Sequence, residues 1–180
     1  YLLANSLSNV PVVVDNNRHR GSLFIIQNFN PDVIILDDGF QHRKLHRDID
    51  ILLIDCSAKK ESFQLFPYGK LREPIKEIKR ADILLFSKSN LGKINIKSKF
   101  YKNKHSYKTN LIPTNFLLDK SNKKIKTISF RNKNCVLVSG IGNPNNFYKT
   151  ALSLNLSIVE HIAFKDHQFY GKKEWLRIEK

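Results

Sequence analysis

Two adjacent carboxylates follow a short apolar run near residue 37. The run at 33–36 leads directly into Asp37-Asp38-Gly39-Phe40-Gln41-His42. A buried strand that ends in a carboxylate is how phosphate-transferring enzymes place an Asp near Mg²⁺, because ligands bind beyond the carboxyl ends of parallel strands. Successive side chains of an extended segment point to opposite sides, so one carboxylate would face a metal and the other would orient the loop. The string also fits a plain turn, since Asp-Gly is a common turn dipeptide.

A basic stretch at residues 43–47 follows these carboxylates at once. His46-Arg47-Asp48 imitates the catalytic loop of protein kinases, but Leu53 stands where that loop needs a metal-binding Asn, and no Asp-Phe-Gly follows. A zinc site at His42 and His46 lacks the further ligands that zinc requires. We therefore interpret the stretch as a basic loop that satisfies the carboxylates or binds phosphate.

A rigid loop at residues 65–74 leads into the next helical stretch. Arg72 lies at the entrance of that helix, in Leu71-Arg72-Glu73-Pro74. Its planar guanidinium could clamp a phosphate there, and the helix dipole would favour the anion. The same arginine could instead pair with a nearby carboxylate for structure. Both interpretations stay open on the sequence alone.

Gly140-Ile141-Gly142, between a strand and a helix, matches part of a dinucleotide-binding fingerprint. The third glycine is missing because Asn145 stands in its place, so the string is weak support for NAD. Asn143 as a helix cap and Pro144 behind it explain much of the motif structurally.

Asp166-His167 follows the last predicted strand, again at a carboxyl end. A His beside an Asp can handle a proton in catalysis. The same pair is also common as a surface or capping feature. His19, His105 and His161 have no context that raises them above that interpretation.

The segments that would position these side chains follow an α/β pattern. Helices are predicted at residues 21–29, 74–81 and 145–154. Continuous apolar runs are typical of strands buried on both faces of a parallel sheet. These runs lie at 12–14, 33–36, 51–54, 83–86 and 135–138, and a last strand is predicted at 157–164.

Residues 93–108 are polar and rich in lysine, which indicates an exposed helix or connection. The alternation at 125–130 predicts an antiparallel pair at a sheet edge or in a small subdomain. We therefore predict three segments: a core α/β region at 1–108, a small β-hairpin subdomain at 109–134, and an α/β segment at 135–180 that returns to the sheet.

The net charge is +15, from 31 Lys and Arg against 16 Asp and Glu. Such a charge suits nucleic acid, a phosphate-rich substrate or an anionic membrane surface, and compositional drift toward Lys and Asn explains it equally well. Cys56 and Cys135 lack metal-type spacing and are expected to be buried free thiols in a reducing compartment. No apolar run approaches the roughly 18 residues that a membrane span needs. The start at Tyr1 and the lack of Met predict a truncated chain.

Taken together, these motifs occur in the order and spacing of the tetraacyldisaccharide 4′-kinase family, which the chain resembles over nearly its whole length. The strings that carry the resemblance are Leu36-Asp37-Asp38-Gly39-Phe40-Gln41-His42, Leu45-His46-Arg47-Asp48-Ile49-Asp50-Ile51, Leu71-Arg72-Glu73-Pro74, Arg80-Ala81-Asp82, Gly140-Ile141-Gly142-Asn143-Pro144 and Phe164-Lys165-Asp166-His167-Gln168-Phe169-Tyr170, with Tyr1-Leu2-Leu3-Ala4 and Pro11-Val12-Val13-Val14 at the start.

The resemblance implies a P-loop NTPase-like kinase, with a mostly parallel sheet flanked by helices and a small antiparallel β subdomain. It implies transfer of the γ-phosphoryl of ATP, with Mg²⁺, to the 4′-hydroxyl of a tetraacylated glucosamine disaccharide 1-phosphate, which yields lipid IVA. It also implies a peripheral protein on the anionic, cytoplasmic face of the bacterial inner membrane.

The resemblance also implies roles for particular residues. It places Asp37 at the metal, Asp38 beside it in the catalytic machinery, and His167 as the histidine that supports the catalytic base. The residues expected to lie near the nucleotide are Arg72, Glu73, Gln41 and His42.

Some parts of the family's pattern are expected outside these residues. They are the Walker A loop, a Gly-Asp-Glu-Pro motif directly before Tyr1 whose Asp acts as the base, an amino-terminal membrane-binding helix, and a Thr-Thr-Glu-Lys-Asp motif beyond Lys180. We therefore expect this segment alone neither to bind ATP tightly nor to turn over. Lys165 and Gln168 stand where the family's pattern has Pro and often His.

Two other functions remain as alternatives. A nucleic-acid-binding module would carry aromatic residues interleaved with Lys, as in Phe100-Tyr101 and His105-Ser106-Tyr107. Another P-loop kinase, acting on a small molecule, would share Asp37 but would not need a bilayer. The resemblance favours the lipid kinase, for which no nucleic-acid partner is expected.

Overall fold

The computed structural model describes residues 2–114, 116–119 and 121–179, so Tyr1 of the opening motif lies outside the described residues. Its helices are α1 (Leu2–Ser6), α2 (Arg18–Phe29), α3 (Pro144–Ser153) and α4 (Lys172–Ile178). Its strands are β1 (Ile51–Asp55), β2 (Ile83–Ser87), β3 (His105–Lys108), β4 (Phe116–Leu118), β5 (Lys124–Lys126), β6 (Asn134–Ser139) and β7 (Ser157–Ala163). Short 3₁₀ helices lie at Lys60–Phe63, Ile75–Arg80, Ser98–Phe100 and Thr127–Phe130.

The main sheet has the order β1-β2-β3 and is parallel throughout. Its central strand is β2, where Leu84 and Phe86 are fully buried. They pack in a core with Ile54 from β1 and with Ile78 from the 3₁₀ helix that precedes β2. The same face of the sheet therefore carries both the core and the segment that follows Arg72.

A second parallel pair, β6-β7, carries α3 on one side. The Asn143 side chain accepts a hydrogen bond from the Asn146 N–H at 3.2 Å, and Pro144 follows at the first helical position, which needs no N–H donor. The predicted cap is confirmed. The antiparallel pair β4-β5 confirms the predicted hairpin, although the division of the chain at 108 and 134 stays a prediction.

Two predicted strands are wrong. Residues 11–15 and 33–36 are extended segments outside any ladder, and Val33 and Ile35 are 75% and 90% exposed. An apolar run becomes a strand only when a neighbouring strand satisfies its backbone N–H and C=O groups, and the described residues offer these segments no such neighbour. The strands that do form also have one exposed face, as at Leu53 of β1.

Three further predictions need correction. The helix expected at 74–81 is a 3₁₀ helix with Pro74 as its N-cap rather than its first residue. The polar stretch 93–108 supplies β3, and the alternating stretch 125–130 leaves the strand after Lys126. Cys56 is buried and free as expected, and burial raises the pKa of its thiol, but Cys135 is only half-buried.

A polar network joins the two parallel sheets at the carboxyl ends of β1 and β2. The Asp55 carboxylate accepts hydrogen bonds from Lys88 Nζ at 2.6 Å and from Ser57 Oγ at 2.5 Å. Ser57 Oγ in turn accepts from Asn146 Nδ2 of α3 at 2.7 Å, and Lys149 Nζ donates to the Leu91 carbonyl at 2.6 Å. Asp55 and Lys88 had no predicted role, yet the Asp55 carboxylate connects Lys88 to Ser57, which the α3 side chain of Asn146 contacts.

This network predicts how stability changes in acid. Burial alone would raise the pKa of Asp55, but hydrogen bonds from Lys88 and Ser57 outweigh it and hold the pKa below its ordinary value of 3.8. Such a carboxyl binds fewer protons folded than unfolded, so its stabilisation is complete above the unfolded pKa and is lost as pH falls through the folded one. We expect Asp55→Asn to lower the free energy of unfolding at neutral pH and to reduce its further loss below about pH 4.

The measurement is urea unfolding followed by circular dichroism at a series of pH values from neutral to acid. The matched control is Asp32→Asn, which removes an exposed loop carboxyl and should keep the wild-type acid dependence. An Asp55→Asn protein that loses stability in acid as steeply as the wild type would contradict the role of this network.

Candidate functional site

The predicted acidic motif forms a tight turn at residues 37–42. The His42 N–H donates to the Gly39 carbonyl at 2.9 Å, and Asp38 adopts a left-handed backbone conformation with φ of 48°. Gly39 is buried, and a Cβ there would lie 2.7 Å from a methyl carbon of Leu36. A larger residue at this position would force the Leu36 side chain to move, and the turn leaves the carboxylates of Asp37 and Asp38 exposed to solvent.

Arg72 reaches the turn from the loop that precedes the 3₁₀ helix. Its Nη2 donates to both carboxylate oxygens of Asp38, at 2.8 and 3.1 Å. Both side chains are largely exposed, so this ion pair is worth no more than about 1 kcal/mol and a ligand can replace either partner. The two open interpretations of Arg72 are thus compatible, because it pairs with a carboxylate at the place where it could also meet a phosphate.

Arg80 fastens the turn to the rest of the fold. Its Nη1 donates to the Phe40 carbonyl at 3.0 Å, and its guanidinium lies 4.2 Å from the centre of the Phe40 ring. The same group donates to the carboxylates of Glu73 and Glu77, the latter at 3.1 Å. The Arg80 side chain is 21% exposed, so these partners hold a charge that is mostly removed from water.

The side chain of Arg47 stabilises the basic loop that follows the turn. Arg47 donates to the carbonyls of His42 and Leu45 at 2.5 and 2.9 Å, and to Asp50 at 2.6 and 3.1 Å. Chiefly the hydrogen bonds to Asp50 raise the pKa of Arg47. The half-buried Arg47 therefore closes its own loop and pairs with Asp50, not with Asp37 or Asp38 as the sequence suggested.

The Asp166-His167 pair lies on a second loop that packs against the glycine motif. The His167 N–H donates to the Gly140 carbonyl at 3.2 Å. A Cβ at Gly140 would lie 2.5 Å from the Tyr170 hydroxyl, and one at Gly142 would lie 3.1 Å from the Asp166 carboxylate. These glycines allow a close approach of two loops, which explains them without a dinucleotide.

The His167 side chain is almost completely exposed, at 95%, and its Nε2 lies 3.9 Å from Asp166 Oδ1. Its backbone has a positive φ of 54°, which favours Gly or Asn over other residues. The imidazole is therefore open to solvent on this loop.

The structure brings together most of the predicted site residues. Asp38 and Arg72 are in contact, and Arg80 ties Glu73 to the turn. Gln41 and His42 lie half-buried in that turn. Over residues 2–114, 116–119 and 121–179, no hydrogen bond or ion pair joins this group to His167. The individual ligand roles of all these residues stay predictions.

Arg80 is the functional neighbour that sequence reasoning missed. Its motif entered the resemblance, but no role was given to its side chain. The signal was present in the spacing, because Glu73 and Glu77 precede it by seven and three residues in a helical stretch.

Some of the aromatic residues that could stack on nucleic-acid bases pack against the core instead. The Tyr101 ring meets the buried Phe86 ring edge-on at 5.0 Å, and Phe100 also packs against this core. Tyr107 of β3 is exposed. An exposed row of stacking rings, which single-stranded nucleic acid requires, is therefore not formed by Phe100 and Tyr101.

Comparison with known proteins gives one family. The model of the tetraacyldisaccharide-1-P 4′-kinase family matches residues 1–180. Proteins called tetraacyldisaccharide 4′-kinase are 35% identical in Aquifex aeolicus, over 95% of this chain and 52% of that protein, and 32% identical in Geobacter sulfurreducens, over 96% and 48%. The relative from Francisella tularensis subsp. novicida is 32% identical over 93% and 52%. The chain thus spans about half the length of these relatives.

One solved structure is similar as well. A crystal structure described as the "apo" form of LpxK from Aquifex aeolicus in complex with ATP has a TM-score of 0.68 and is 33% identical. The similarity covers 96% of this chain and 54% of that one. It confirms the predicted α/β fold with a parallel sheet and a small antiparallel sheet.

The position of Arg80 between the turn and the 3₁₀ helix predicts a measurable loss of stability. Arg80→Lys keeps the charge but removes the planar fork, so it cannot reach the carbonyl of Phe40 and both carboxylates together. We expect the free energy of unfolding to fall by about 1.5–3 kcal/mol, the range for hydrogen bonds to charged groups. Urea unfolding of the two proteins measures it.

Arg43→Lys is the matched control. Arg43 faces the same two carboxylates from outside, at 3.3 Å from Glu73 and 3.6 Å from Glu77, and is mostly exposed. We expect its change to cost less than about 1 kcal/mol. Equal losses in the two variants would show that Arg80 is an ordinary surface ion pair.

Proposed function

Since the chain belongs to the tetraacyldisaccharide-1-P 4′-kinase family, we propose that it forms part of an enzyme that phosphorylates a lipid disaccharide. ATP would donate its γ-phosphoryl group to the 4′-hydroxyl of tetraacylated glucosamine disaccharide 1-phosphate, and lipid IVA would result. The observation that carries the proposal is the exposed carboxylate pair Asp37-Asp38, held in a fixed turn beside Arg72. Phosphoryl transfer needs such fixed charges more than it needs covalent chemistry.

The residues present fit a magnesium ion. Mg²⁺ is bound in phosphate-transferring enzymes through one or two carboxylates, with waters and substrate phosphates as the other ligands. Asp37 and Asp38 offer two exposed carboxylates on adjacent residues, so Asp37 would hold the ion and Asp38 would support its ligand shell. When bound, the ion neutralises charge on the phosphates and holds them in position.

Arg72 could then pair either with Asp38 or with a phosphate group of the ligand. In the structure its guanidinium is paired with Asp38, through an exposed contact that a ligand can replace. A phosphate group that enters beside the turn would receive the planar fork of Arg72 in a bidentate contact. Glu73, Gln41 and His42 would shape the same region, with Glu73 held in place by Arg80.

His167 would act on the acceptor side. In the transfer, the sugar oxygen forms a bond to the γ-phosphorus, the bond to the bridging oxygen breaks, and ADP leaves with that electron pair. A carboxylate base takes the hydroxyl proton, and His167 would orient this base through its exposed imidazole. The hydrogen bond from the His167 N–H to the Gly140 carbonyl supports this role, because it holds the backbone of the loop that carries the imidazole.

The surface supports an anionic membrane partner, and we place the protein at the cytoplasmic face of the bacterial inner membrane as part of the proposal. The net charge of +15 would attract anionic headgroups. Phe169 and Trp175 are exposed close to Lys172 and Lys173, and aromatic rings beside lysines are typical of membrane interfaces. In the described part of the chain, no helix is long and apolar enough to span a bilayer.

The test of the activity is phosphate transfer from labelled ATP to the lipid disaccharide 1-phosphate, in detergent, by the full-length protein that carries this chain. We expect transfer by the wild type, and a fall in kcat of about 100-fold or more in Asp37→Ala and in His167→Ala, because each removes a group that acts in the transition state. Asp32→Ala, which removes an exposed carboxylate from the preceding loop, should leave kcat unchanged.

Circular dichroism would show that each variant is folded. A folded wild type that phosphorylates a small soluble sugar but not the lipid would favour another P-loop kinase. A folded wild type that transfers phosphate to neither acceptor would refute the proposed function. Full activity in both variants would remove Asp37 and His167 from the site.

The membrane proposal predicts salt-dependent binding to vesicles. The protein should sediment with vesicles that contain about a third of anionic lipid but not with zwitterionic vesicles, because only anionic headgroups attract its positive charge. Added salt should weaken this binding, since charges are screened over about 10 Å at 0.1 M salt. Trp175→Ala should weaken this binding more than Tyr107→Ala, which removes an exposed aromatic ring from β3. Equal binding to both kinds of vesicle would contradict an electrostatic membrane contact.

A further inference from the structure

Two aromatic rings project from the surface on the loop that leads to Arg72. This loop spans residues 64–71, and we call it the aromatic loop. Its residues Phe66 and Tyr68 are 80% and 84% exposed, and Leu65 beside them is also exposed. Apolar side chains exposed to water cost free energy, so a group of them on one short loop indicates a partner that covers them.

Backbone hydrogen bonds hold the aromatic loop in one shape. The Phe66 N–H donates to the Leu71 carbonyl at 2.9 Å, and the Leu71 N–H donates to the Gln64 carbonyl at 3.0 Å. The Gly69 N–H donates to the Leu65 carbonyl at 3.0 Å, and a Cβ at Gly69 would collide with the Gln64 carbonyl oxygen. The loop therefore presents its rings in a fixed arrangement, and a partner that binds them need not order a flexible segment.

Cations lie around the rings. Lys70 belongs to the aromatic loop and Arg72 follows it, and both are exposed. The Lys70 N–H donates to the Ser62 carbonyl at 3.0 Å, which places the loop against the 3₁₀ helix that begins at Lys60. Over residues 59–73, four Lys and Arg stand against two Glu, which leaves two net positive charges. Aromatic rings beside Lys and Arg are typical of protein surfaces that contact anionic membranes.

The shape of the aromatic loop favours a broad partner over a small ligand. Small-molecule sites are concave and bury most of the ligand surface. Residues as exposed as Phe66 and Tyr68 project outward instead, as side chains that enter the headgroup layer of a bilayer must. A bilayer would cover the rings with its acyl chains and would place anionic headgroups against the cations. One partner therefore satisfies both kinds of side chain.

The aromatic loop also lies beside the acidic turn at residues 37–42. Leu71 ends the loop, and the next residue, Arg72, donates to the Asp38 carboxylate at 2.8 Å. A lipid acceptor carries its reacting hydroxyl in the headgroup region, so an enzyme that phosphorylates it must keep its site at that level. Rings inserted from this loop would hold the turn there.

We propose that Phe66 and Tyr68 insert into the headgroup region of an anionic bilayer and hold the acidic turn at the membrane surface. The choice of a bilayer rests on the proposed function, in which the acceptor is a lipid. The aromatic loop adds a second contact to the one assigned to Phe169 and Trp175. The rest of the full-length protein is the alternative cover for the same rings, and the test below separates the two.

The test is the tryptophan fluorescence of Tyr68→Trp in the full-length protein, taken as the difference from the wild type, with vesicles that contain about a third of anionic lipid. We expect the emission of the introduced side chain to shift to shorter wavelength on binding and to be quenched when the acyl chains are brominated. Tyr107→Trp is the matched control, because Tyr107 is also an exposed ring beside a lysine but belongs to β3, and brominated chains should not quench it.

A second measurement uses vesicle binding by the full-length protein. Phe66→Ser combined with Tyr68→Ser should raise the dissociation constant for the same vesicles at least about tenfold, because membrane affinity follows the apolar area that is buried. Tyr68→Phe keeps the ring and should bind as the wild type does. Circular dichroism would show that each variant is folded.

The contrary outcomes are distinct. A side chain at position 68 that acrylamide cannot quench without vesicles would show that the rest of the full-length protein covers the loop, and this would overturn the inference. No quenching by brominated chains, equal quenching at position 107, or an unchanged dissociation constant in the double variant would also overturn it.

These measurements need neither ATP nor acceptor, so they separate this inference from the proposed function. An active kinase in which brominated chains leave position 68 unquenched would keep the proposed function and refute the membrane contact of the aromatic loop. Insertion of position 68 by a protein that transfers no phosphate would keep the contact and refute the proposed function.

Discussion

The charged guanidinium of Arg80 is mostly shielded from water. It lies between the Phe40 carbonyl, the Phe40 ring and the carboxylates of Glu73 and Glu77. A half-buried charge is tolerated only when it is paired and hydrogen-bonded. The Phe40 carbonyl and Glu73 supply that pairing from opposite ends of a long loop. The acidic turn and the Arg72 loop therefore share one anchor, and the pair Asp38-Arg72 depends on it although Arg80 touches neither residue.

Charges in this fold fall into two groups by exposure. Arg80, Asp50 and Glu77 are mostly buried and tied to defined partners, so they determine where loops lie. Asp37, Asp38 and His167 are exposed, and backbone hydrogen bonds shape the loops that carry them, while the Asp38 carboxylate also pairs with the exposed Arg72. The buried charges thus pair with other residues of the same fold. The charges to which the proposed function gives a chemical role remain open to ligands.

Local patterns in the sequence predicted the elements that depend on local physics. The Asn143 cap, the helix behind it and the strands at 51–55, 83–87 and 134–139 all follow from side chains within a few residues. The run at 33–36 fails because a strand needs a neighbour, and periodicity carries no information about neighbours. The strand β3 was missed because all four of its residues are exposed and three of them are polar, so it lacks the apolar pattern that indicates a buried strand.

The site was predictable as a set of residues but not as an arrangement. Motif order put Asp37, Asp38 and Arg72 in one candidate site, and the structure shows Asp38 and Arg72 in contact. Motif order could not show that Arg80 joins them, because its partners lie up to forty residues away and only the folded chain brings them within reach. The glycines at 140 and 142 are a case in which a motif suggested a site that the packing does not support. Their spacing matched part of a dinucleotide-binding fingerprint, yet the side chains of Tyr170 and Asp166 lie against them in the structure. A glycine motif indicates that other atoms approach the backbone closely. Only the packing of the folded chain shows whether those atoms belong to a ligand or to another loop.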